Sequence, residues 1–477
     1  MSNCLILAAG VLVLFFARAA NAQWIDVYAT KQTVSASPAA PLLMNASCLP
    51  ETADRPLNLQ DVLVQAICAN PQTKQAWANV RAQAAAVGVS EAAYLPTLDA
   101  TAGIERDTLA TTYNASALGA GSISSSQNSS SRYGELDFSW VLFDFGKRSA
   151  DLRQARQLLA AANAAQDDTL QNVFFKAAQA YYKLSDAQAS LDAAKATEST
   201  AHDSLADTTA KHGGGVGTLS DQLQAETTYR RAVLDRVSAE GDVSAATGTL
   251  ASMMGLDANT PVRISASEAA VNNAAFAQNV DQLIDEAKTQ HPKLVAARAR
   301  LEAARANVDS VRAEGRPTIS LVGNLTQNNP SYQQQPEQIP ITGSRGSTIG
   351  IQLKIPLFEG FASGYRVEQA EQQADAEEAN LQNTELQVSL DVWTSYESLL
   401  TSTANLGISQ DLLTAAERSL EIARGRYREG VGTFTELSNA QAALTDARKQ
   451  RVLAVSKWRT SRLRLALSLG NLGFWSP

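Results

Sequence analysis

The sequence predicts a mixed α and β membrane protein with an internal duplication. In this fold class, three chains share a twelve-stranded transmembrane β-barrel, four strands from each, and the barrel continues into a long α-helical barrel. Three observations support it. Motifs in the first half recur in the second, each half contains two segments of alternating polar and apolar residues, and long proline-free helical segments follow them.

The composition excludes several classes of protein. The 477 residues carry a formal net charge of −8 and include only three His and three Cys. A protein that binds duplex nucleic acid needs a surplus of Lys and Arg, so we expect no nucleic-acid partner. Little material remains for a metal cage, and there is no Ser-His or Cys-His arrangement. We therefore expect no metal site, no cofactor and no enzymatic activity.

The amino terminus is typical of an export signal. Residues 1–22 contain an apolar run followed by Ala20-Asn21-Ala22, a small-residue cleavage pattern. The run is shorter than the roughly 20 residues that span a bilayer. An uncleaved anchor is the alternative, because no basic residue precedes the run. Export would place Cys48 and Cys68 in an oxidising compartment, where they are a candidate disulfide; two unpaired thiols are the alternative.

An internal repeat organises the chain. Asn70-Pro71 recurs as His291-Pro292 at a displacement of 221 (292 − 71), and later motifs recur at 215, such as Gly255 and Gly470 (470 − 255). A constant displacement over a long stretch indicates duplication. The predicted divisions are a signal (1–22), an extended segment (23–56), a first repeat (57–255), a linker (256–279), a second repeat (280–470) and a tail (471–477).

Each repeat has the same order of elements. Hydrophobic spacing predicts, in the first repeat, helix 59–93, strands 98–105 and 135–142 around a polar loop at 111–132, helix 147–210 and a helix to Gly255. It predicts, in the second repeat, helix 280–314, strands 318–326 and 347–357 around a loop at 328–346, and helices 361–428 and 434–469.

The strands carry apolar side chains on one face and polar side chains on the other. The lipid-facing set is predicted to be Leu136, Phe138, Trp140, Leu142, Ile349, Ile351, Leu353 and Ile355. In a soluble sheet such faces would pack on a core, but the strand lengths and the aromatic residues at the strand ends match membrane barrels. Open edges are not tolerated in lipid. Three chains would close a barrel of twelve strands, whereas two would give eight, too narrow for an open channel.

Two motifs at the ends of the second long helix are distinctive. Leu353-Lys354-Ile355-Pro356-Leu357-Phe358-Glu359-Gly360 precedes it and Tyr427-Arg428-Glu429-Gly430-Val431-Gly432-Thr433 ends it. With the duplication, which covers residues 57–470, they resemble the TolC-type outer-membrane factor family. The resemblance implies a homotrimeric exit duct in the outer membrane of a Gram-negative bacterium, in contact with its lipid and extending into the periplasm. It also implies two partners, a periplasmic adaptor and an inner-membrane transporter of the ABC or proton-driven type.

The resemblance further implies a periplasmic gate just past the helical turns. Carried over by position, the gate residues are Asp221, Tyr427, Glu436 and Asn439, of which Asp221 and Glu436 are repeat partners (436 − 221 = 215). A family arginine is Gly432 here and a second inner acid is Asn439, so fewer polar links would hold the gate. Rings of acids attract cations in channels. The alternative is an ordinary solvated acid.

The same resemblance implies that the glycine-rich turns contact the adaptor. These tips are Gly215, Val216, Gly217, Thr218, Gly430, Val431, Gly432 and Thr433. A phosphate-binding loop is the rival interpretation, but no Lys-Ser or Lys-Thr follows the glycines.

The type of system and its cargo are less constrained. The duct would serve a tripartite efflux pump or a type I secretion system, and four Met residues give no support to copper export. The cysteine pair with Asn70-Pro71-Gln72 and Trp77 favours the secretion branch. The alternative function is a periplasmic coiled-coil adaptor of the membrane-fusion type or a scaffold without a channel, neither of which needs four alternating strands.

Overall fold

The computed structural model describes residues 26–40, 42, 55–114, 119, 121–265, 279–330 and 343–473. The predicted signal, Cys48 and most of the predicted linker lie outside the described residues. The chain divides into two compact units. One comprises Met1–Thr33, Gln83–Leu159 and Arg300–Glu378, and the other comprises Val34–Ala82, Ala160–Ala299 and Ala379–Pro477.

The order of elements is the same in both repeats. In the first repeat they are α1 (Leu59–Ala69), α2 (Pro71–Ala92), β1 (Thr97–Asn114), β2 (Ser122–Phe143), α3 (Lys147–Gly213) and α4 (Leu219–Met253). In the second they are α5 (Val280–Gln290), α6 (Pro292–Glu314), β3 (Thr318–Pro330), β4 (Ser344–Lys354), α7 (Ala362–Arg428) and α8 (Phe434–Ser468). Both long helices have 67 residues and both return helices have 35, which confirms the duplication. None of the described helices is long and apolar enough to cross a bilayer.

The first predicted helix of each repeat is in fact two helices. The prediction of single helices over 59–93 and 280–314 was wrong because Asn70 (ψ 130°) and His291 (ψ 127°) leave the helical conformation. Each precedes a proline, whose ring clashes with a helical residue before it. The proline itself then begins the next helix, where its missing N–H is harmless.

The first β-hairpin is longer than its hydrophobic pattern predicted. Most of the predicted loop at 111–132 is strand, with a continuous antiparallel register from Thr97↔Ser139 to Asn114↔Ser122. The prediction was wrong because a ladder pairs backbone groups whatever the polarity of the side chains, and Thr is well suited to strands. The predicted loop at 328–346 is shorter as well. We call residues 106–114 and 122–130 the polar ribbon.

The four strands form one antiparallel sheet in the order β1-β2-β3-β4. On one face the register places Phe138 between Leu98 and Gly323, and Leu321 between Trp140 and Ile351. On the other face Asp137 lies between Asp99 and Asn324. The register therefore confirms that the strands have an apolar face and a polar face.

A heptad pattern explains the buried seam of α7. Every seventh residue is buried in two parallel series. They are Val388, Ser395, Ser402, Ser409, Ala416 and Ala423 in the first, and Val392, Leu399, Leu406, Leu413, Leu420 and Tyr427 in the second. Leu413 and Leu420 are half-buried and the others are buried. Small residues in the first series let neighbouring helices approach closely, as in an extended coiled coil.

Candidate functional site

The turns between the long and return helices have the same construction in both repeats. At the end of α3, the N–H groups of Val216 and Gly217 both donate to the Lys211 carbonyl at 3.0 Å. At the end of α7, Val431 and Gly432 donate to the Arg426 carbonyl at the same distance. Gly215 and Gly430 have φ angles of 76° and 74°, a conformation that favours glycine. Helix termination is therefore a sufficient reason for these glycines.

The two predicted gate acids occupy equivalent helix starts. Thr218 Oγ1 accepts a hydrogen bond from the Asp221 N–H, and Thr433 Oγ1 accepts one from the Glu436 N–H, each at 3.1 Å. Both acids lie in the first turn, where a negative charge interacts favourably with the helix dipole. This local role explains why an acid recurs there, and it also fixes the two backbones in matching positions.

Tyr427 is part of the packing of the tips. It is 8% exposed and packs with Ala225, Phe434 and Leu437, and its ring centroid lies 5.8 Å from that of Phe434. Burial, and then the charges of Asp221 and Asp207, raise the pKa of the Tyr427 hydroxyl. Its place as the last residue of the heptad seam is the sequence signal for this burial. Its predicted role at an aperture stays a prediction.

The other predicted gate residues have different surroundings. Glu436 forms an ion pair with Arg426, with 3.1 Å between the Arg426 Nε and a carboxylate oxygen. Asn439 is exposed and Asp221 is half-buried. The structure therefore brings Asp221 close to Tyr427, whereas Glu436 is paired within its own hairpin.

Lys211 is a residue that the sequence analysis missed. Its Nζ donates to the Tyr427 carbonyl at 2.7 Å and lies 3.8 Å from the centroid of the Tyr427 ring. Its repeat partner is Arg426 (426 − 211 = 215), which instead contacts its own hairpin at Glu436. The repeat displacement identifies the two cations as equivalents, but local sequence does not show that only Lys211 reaches the other hairpin.

A second polar contact joins the two hairpins. The Gln441 side-chain amide of α8 donates to Ser204 Oγ of α3 at 2.7 Å, and both residues are buried. Arg424 and Asp203 add an exposed pair at 3.4 Å. Exposed pairs contribute little, so Lys211 and Gln441 are the polar contacts most able to hold the hairpins together.

The predicted lipid-facing residues lie on the apolar face of the sheet. All of them are exposed except Phe138, which is half-buried. Exposure rises to 78% at Ile349 and 73% at Ile351. Contact of this face with lipid stays a prediction.

The residues that favoured a secretion branch have structural roles. The Asn70 Nδ2 donates to the Met253 carbonyl at 3.1 Å, and the Trp77 Nε1 donates to the Ser35 carbonyl at 2.9 Å. Cys68 is disulfide-bonded, and its predicted partner Cys48 lies outside the described residues. These contacts explain the residues through packing, so they do not identify an exported substrate.

Comparison with known proteins identifies relatives along most of the chain. A family model described as outer membrane efflux protein matches residues 62–256 and 283–471. The chain is similar to Protein CyaE of Bordetella pertussis, with 31% identity over 429 residues that cover 89% of this chain and 86% of that protein. Similarity to outer membrane protein TolC of Vibrio cholerae is 25% over 417 residues, covering 87% and 91%. The solved structure of the outer-membrane channel OprN matches the fold with a TM-score of 0.74 at 21% identity, covering 88% of this chain and 91% of that one.

Proposed function

The chain belongs to the outer membrane efflux protein family, and on this premise we propose that three copies form an exit channel for a tripartite efflux pump or a type I secretion system. Membership confirms the resemblance, the fold class of long helices with a four-stranded sheet, and the outer-membrane location predicted from the sequence.

The open four-stranded sheet is the observation that carries the trimeric channel. Among the described residues, β1 and β4 each form a ladder on one side only. The sheet also has an exposed apolar face, which suits lipid, and a polar face, which suits a water-filled lumen. Open edges do not persist in hydrocarbon, so β1 of one copy would pair with β4 of the next. Three copies then give a closed barrel of twelve strands.

The tips support a role in docking and gating. Both hairpins end in the same exposed Gly-Val-Gly-Thr turn, so an adaptor would meet similar surfaces on both repeats. We place the gate at Asp221, Tyr427, Glu436 and Asn439, held partly by Lys211. Docking would separate the hairpins by replacing these contacts. The duct itself is passive, and the transporter would supply energy and selectivity.

The test is the oligomeric state and conductance of the purified full-length protein. In detergent, native mass spectrometry should give a trimer, and planar bilayers should show discrete conductance steps. A heat-denatured sample is the matched control for detergent artefacts. Recovery as a monomer in aqueous buffer without detergent, with no conductance, would favour an adaptor or scaffold instead.

The partners can be identified by crosslinking from the tips. Photo-crosslinkers at Val216 and Val431, both exposed, should capture a periplasmic adaptor in intact cells. The same probe at exposed Ile422, on the shaft of α7, is the control. Equal capture from both places would contradict docking at the tips.

A further inference from the structure

Three arginines mark one end of the apolar face of the sheet. Along each of three strands, the apolar positions of this face give way to an arginine. Ile104 is followed by Arg106 in β1, Leu136 and Gly134 by Arg132 in β2, and Ile349 and Ser347 by Arg345 in β4. All three arginines are exposed.

The register places these arginines at nearly the same level. Arg132 pairs with Ile104 of β1, and Arg106 lies one step further along the same face, opposite Ser130. Arg345 pairs with Gln327, which pairs with Gly134 next to Arg132 on that face. Diagonal neighbours of this kind on adjacent strands lie about 7–8 Å apart, so Arg106 and Arg132 can reach the same group.

The charges on this face are not balanced by neighbouring acids. The residues that the register places beside the arginines on the same face, Ser130, Gln327 and Asn329, are uncharged. The nearest acids along the strands, Glu105 and Glu135, alternate to the opposite face. Guanidinium groups at the edge of an apolar surface repel each other and lose part of their hydration. They therefore favour an anion from outside the chain.

The other end of the apolar face has a different chemistry. Phe143 and Phe145 are in edge contact with ring centroids 4.7 Å apart, and Phe358 and Phe361 are 5.4 Å apart. All four are exposed. Aromatic rings of this kind sit at a membrane interface without a charged partner. The two ends of the belt are thus built for different interfaces, one aromatic and one cationic.

We propose that Arg106, Arg132 and Arg345 form a binding site for the phosphate of an anionic lipid headgroup at the barrel surface. Each guanidinium has planar donors that match phosphate oxygens in pairs. A phosphate brought to this level by its lipid meets the cations next to hydrocarbon, where water screens the attraction less than in solution. The inference rests on the proposed barrel, whose apolar face it assumes to be in lipid.

The test compares lipid retention by the wild-type trimer and by charge-neutral variants. Native mass spectrometry is run on protein in micelles doped with equal amounts of phosphatidic acid and phosphatidylcholine. The wild type should retain phosphatidic acid preferentially. The triple variant R106Q/R132Q/R345Q should lose at least about tenfold in that retention, because it lacks every donor at this level. The variant K354Q is the control, since Lys354 is exposed on the opposite face of β4; it should behave as the wild type.

Three further arms make the outcome decisive. If inorganic phosphate displaces the lipid at matched concentration, the site is a simple anion site and the lipid proposal is overturned. Equal retention of both lipids by the wild type, or of phosphatidic acid by the triple variant, overturns it too. If the triple variant does not assemble, R106K/R132K/R345K, which keeps the charges, should assemble and retain at least part of the binding. A wild type that forms neither trimer nor channel would instead refute the proposed function, whereas a conducting trimer without lipid preference refutes only this site.

Discussion

Asn70 and His291 make the same pair of contacts in equivalent places of the two repeats. Asn70 Oδ1 accepts from the Gln72 N–H at 2.9 Å, and its Nδ2 donates to the Met253 carbonyl at the end of α4. His291 Nδ1 accepts from the Lys293 N–H at 3.2 Å, and the ring bonds to the backbone of Leu467 near the end of α8. Each side chain caps the helix that its proline begins and ties it to a return helix, so neutral imidazole does the work of an amide.

This equivalence predicts that asparagine can replace His291. We expect H291N to keep the thermal midpoint of the wild type within a few degrees, because an amide reproduces both hydrogen bonds. H291L keeps the apolar volume but removes both, and it should lower the free energy of unfolding by about 2–4 kcal/mol. Thermal denaturation in detergent, followed by circular dichroism, measures both. Equal destabilisation by the two variants would contradict the capping role.

The same residue predicts a loss of stability in acid. Burial, then Lys293, lowers the pKa of His291 from 6.5 to about 4, while Asp391 and the bond to Leu467 act in the opposite direction. Between pH 6.5 and 4 the unfolded chain takes up a proton that the folded chain does not, so stability falls as the pH falls through this window. The total is about 3 kcal/mol.

The measurement is the difference in free energy of unfolding between wild type and H291N from pH 7.5 to 4. The subtraction is needed because burial raises the pKa of Asp168 and Asp186. Those carboxyls bind protons more readily when folded and therefore add stability as the pH falls. A difference that does not change with pH would contradict the assignment to His291.

Two pairs of glycines should respond differently to alanine. A Cβ at Gly470 would lie 2.7 Å from Pro292 Cδ, and one at Gly255 would lie 2.8 Å from the Ala69 carbonyl oxygen. Gly215 and Gly430 have the same positive φ but open space around them. G470A and G255A should cost about 3 kcal/mol from clash and backbone strain together, whereas G215A and G430A should cost about 1 kcal/mol from strain alone. Urea denaturation of the four variants tests this, and equal costs would exclude a packing role for the first pair.

The acids at the tips should determine part of the ion selectivity. In planar bilayers, D221N/E436Q should lower the ratio of cation to anion permeability by about twofold or more, because six carboxylates would be lost from a trimer. The control is E421Q, which neutralises an exposed acid on the shaft of α7. Unchanged selectivity in the double variant would refute the placement of the gate.

Lys211 should hold the closed state. K211Q removes a charged hydrogen bond and a cation–π contact, together on the order of 2–3 kcal/mol, so the fraction of time spent open should rise by roughly tenfold or more. R426Q removes the equivalent cation of the second repeat, which reaches only its own hairpin, and should have a smaller effect. Single-channel recordings of both variants make the comparison. An equal rise in both would mean that general tip charge, not the Tyr427 contact, sets the closed state.

The sequence could predict elements whose periodicity is local. Alternation revealed the two faces of β2 and β4, because side-chain direction in a strand depends only on position. The glycines revealed the ends of α3 and α7, since positive φ there has few other solutions. The breaks at Asn70 and His291 were missed because a proline can begin a helix, so the hydrophobic pattern continues across it.

Contacts between distant elements were harder to predict. The path of Lys211 to the Tyr427 carbonyl depends on how two hairpins pack, which neither segment encodes alone. Burial of Tyr427 was accessible in principle, because it lies seven residues after Leu420 in an unbroken heptad series. The polar ribbon was missed because its Ser and Thr residues were taken as loop formers, although their backbones pair in full.

The polar ribbon bears on how the chain reaches its place. From Thr108 to Ser131 the sequence contains no charged residue and no proline. In the proposed barrel this hairpin lies beyond the apolar belt, so it must pass through hydrocarbon while the strands insert. Hydroxyl and amide groups cross at a far lower free-energy cost than ions, and a hairpin carries its central backbone hydrogen bonds with it. The composition of the ribbon thus suits translocation of a preformed hairpin as much as it suits the finished channel.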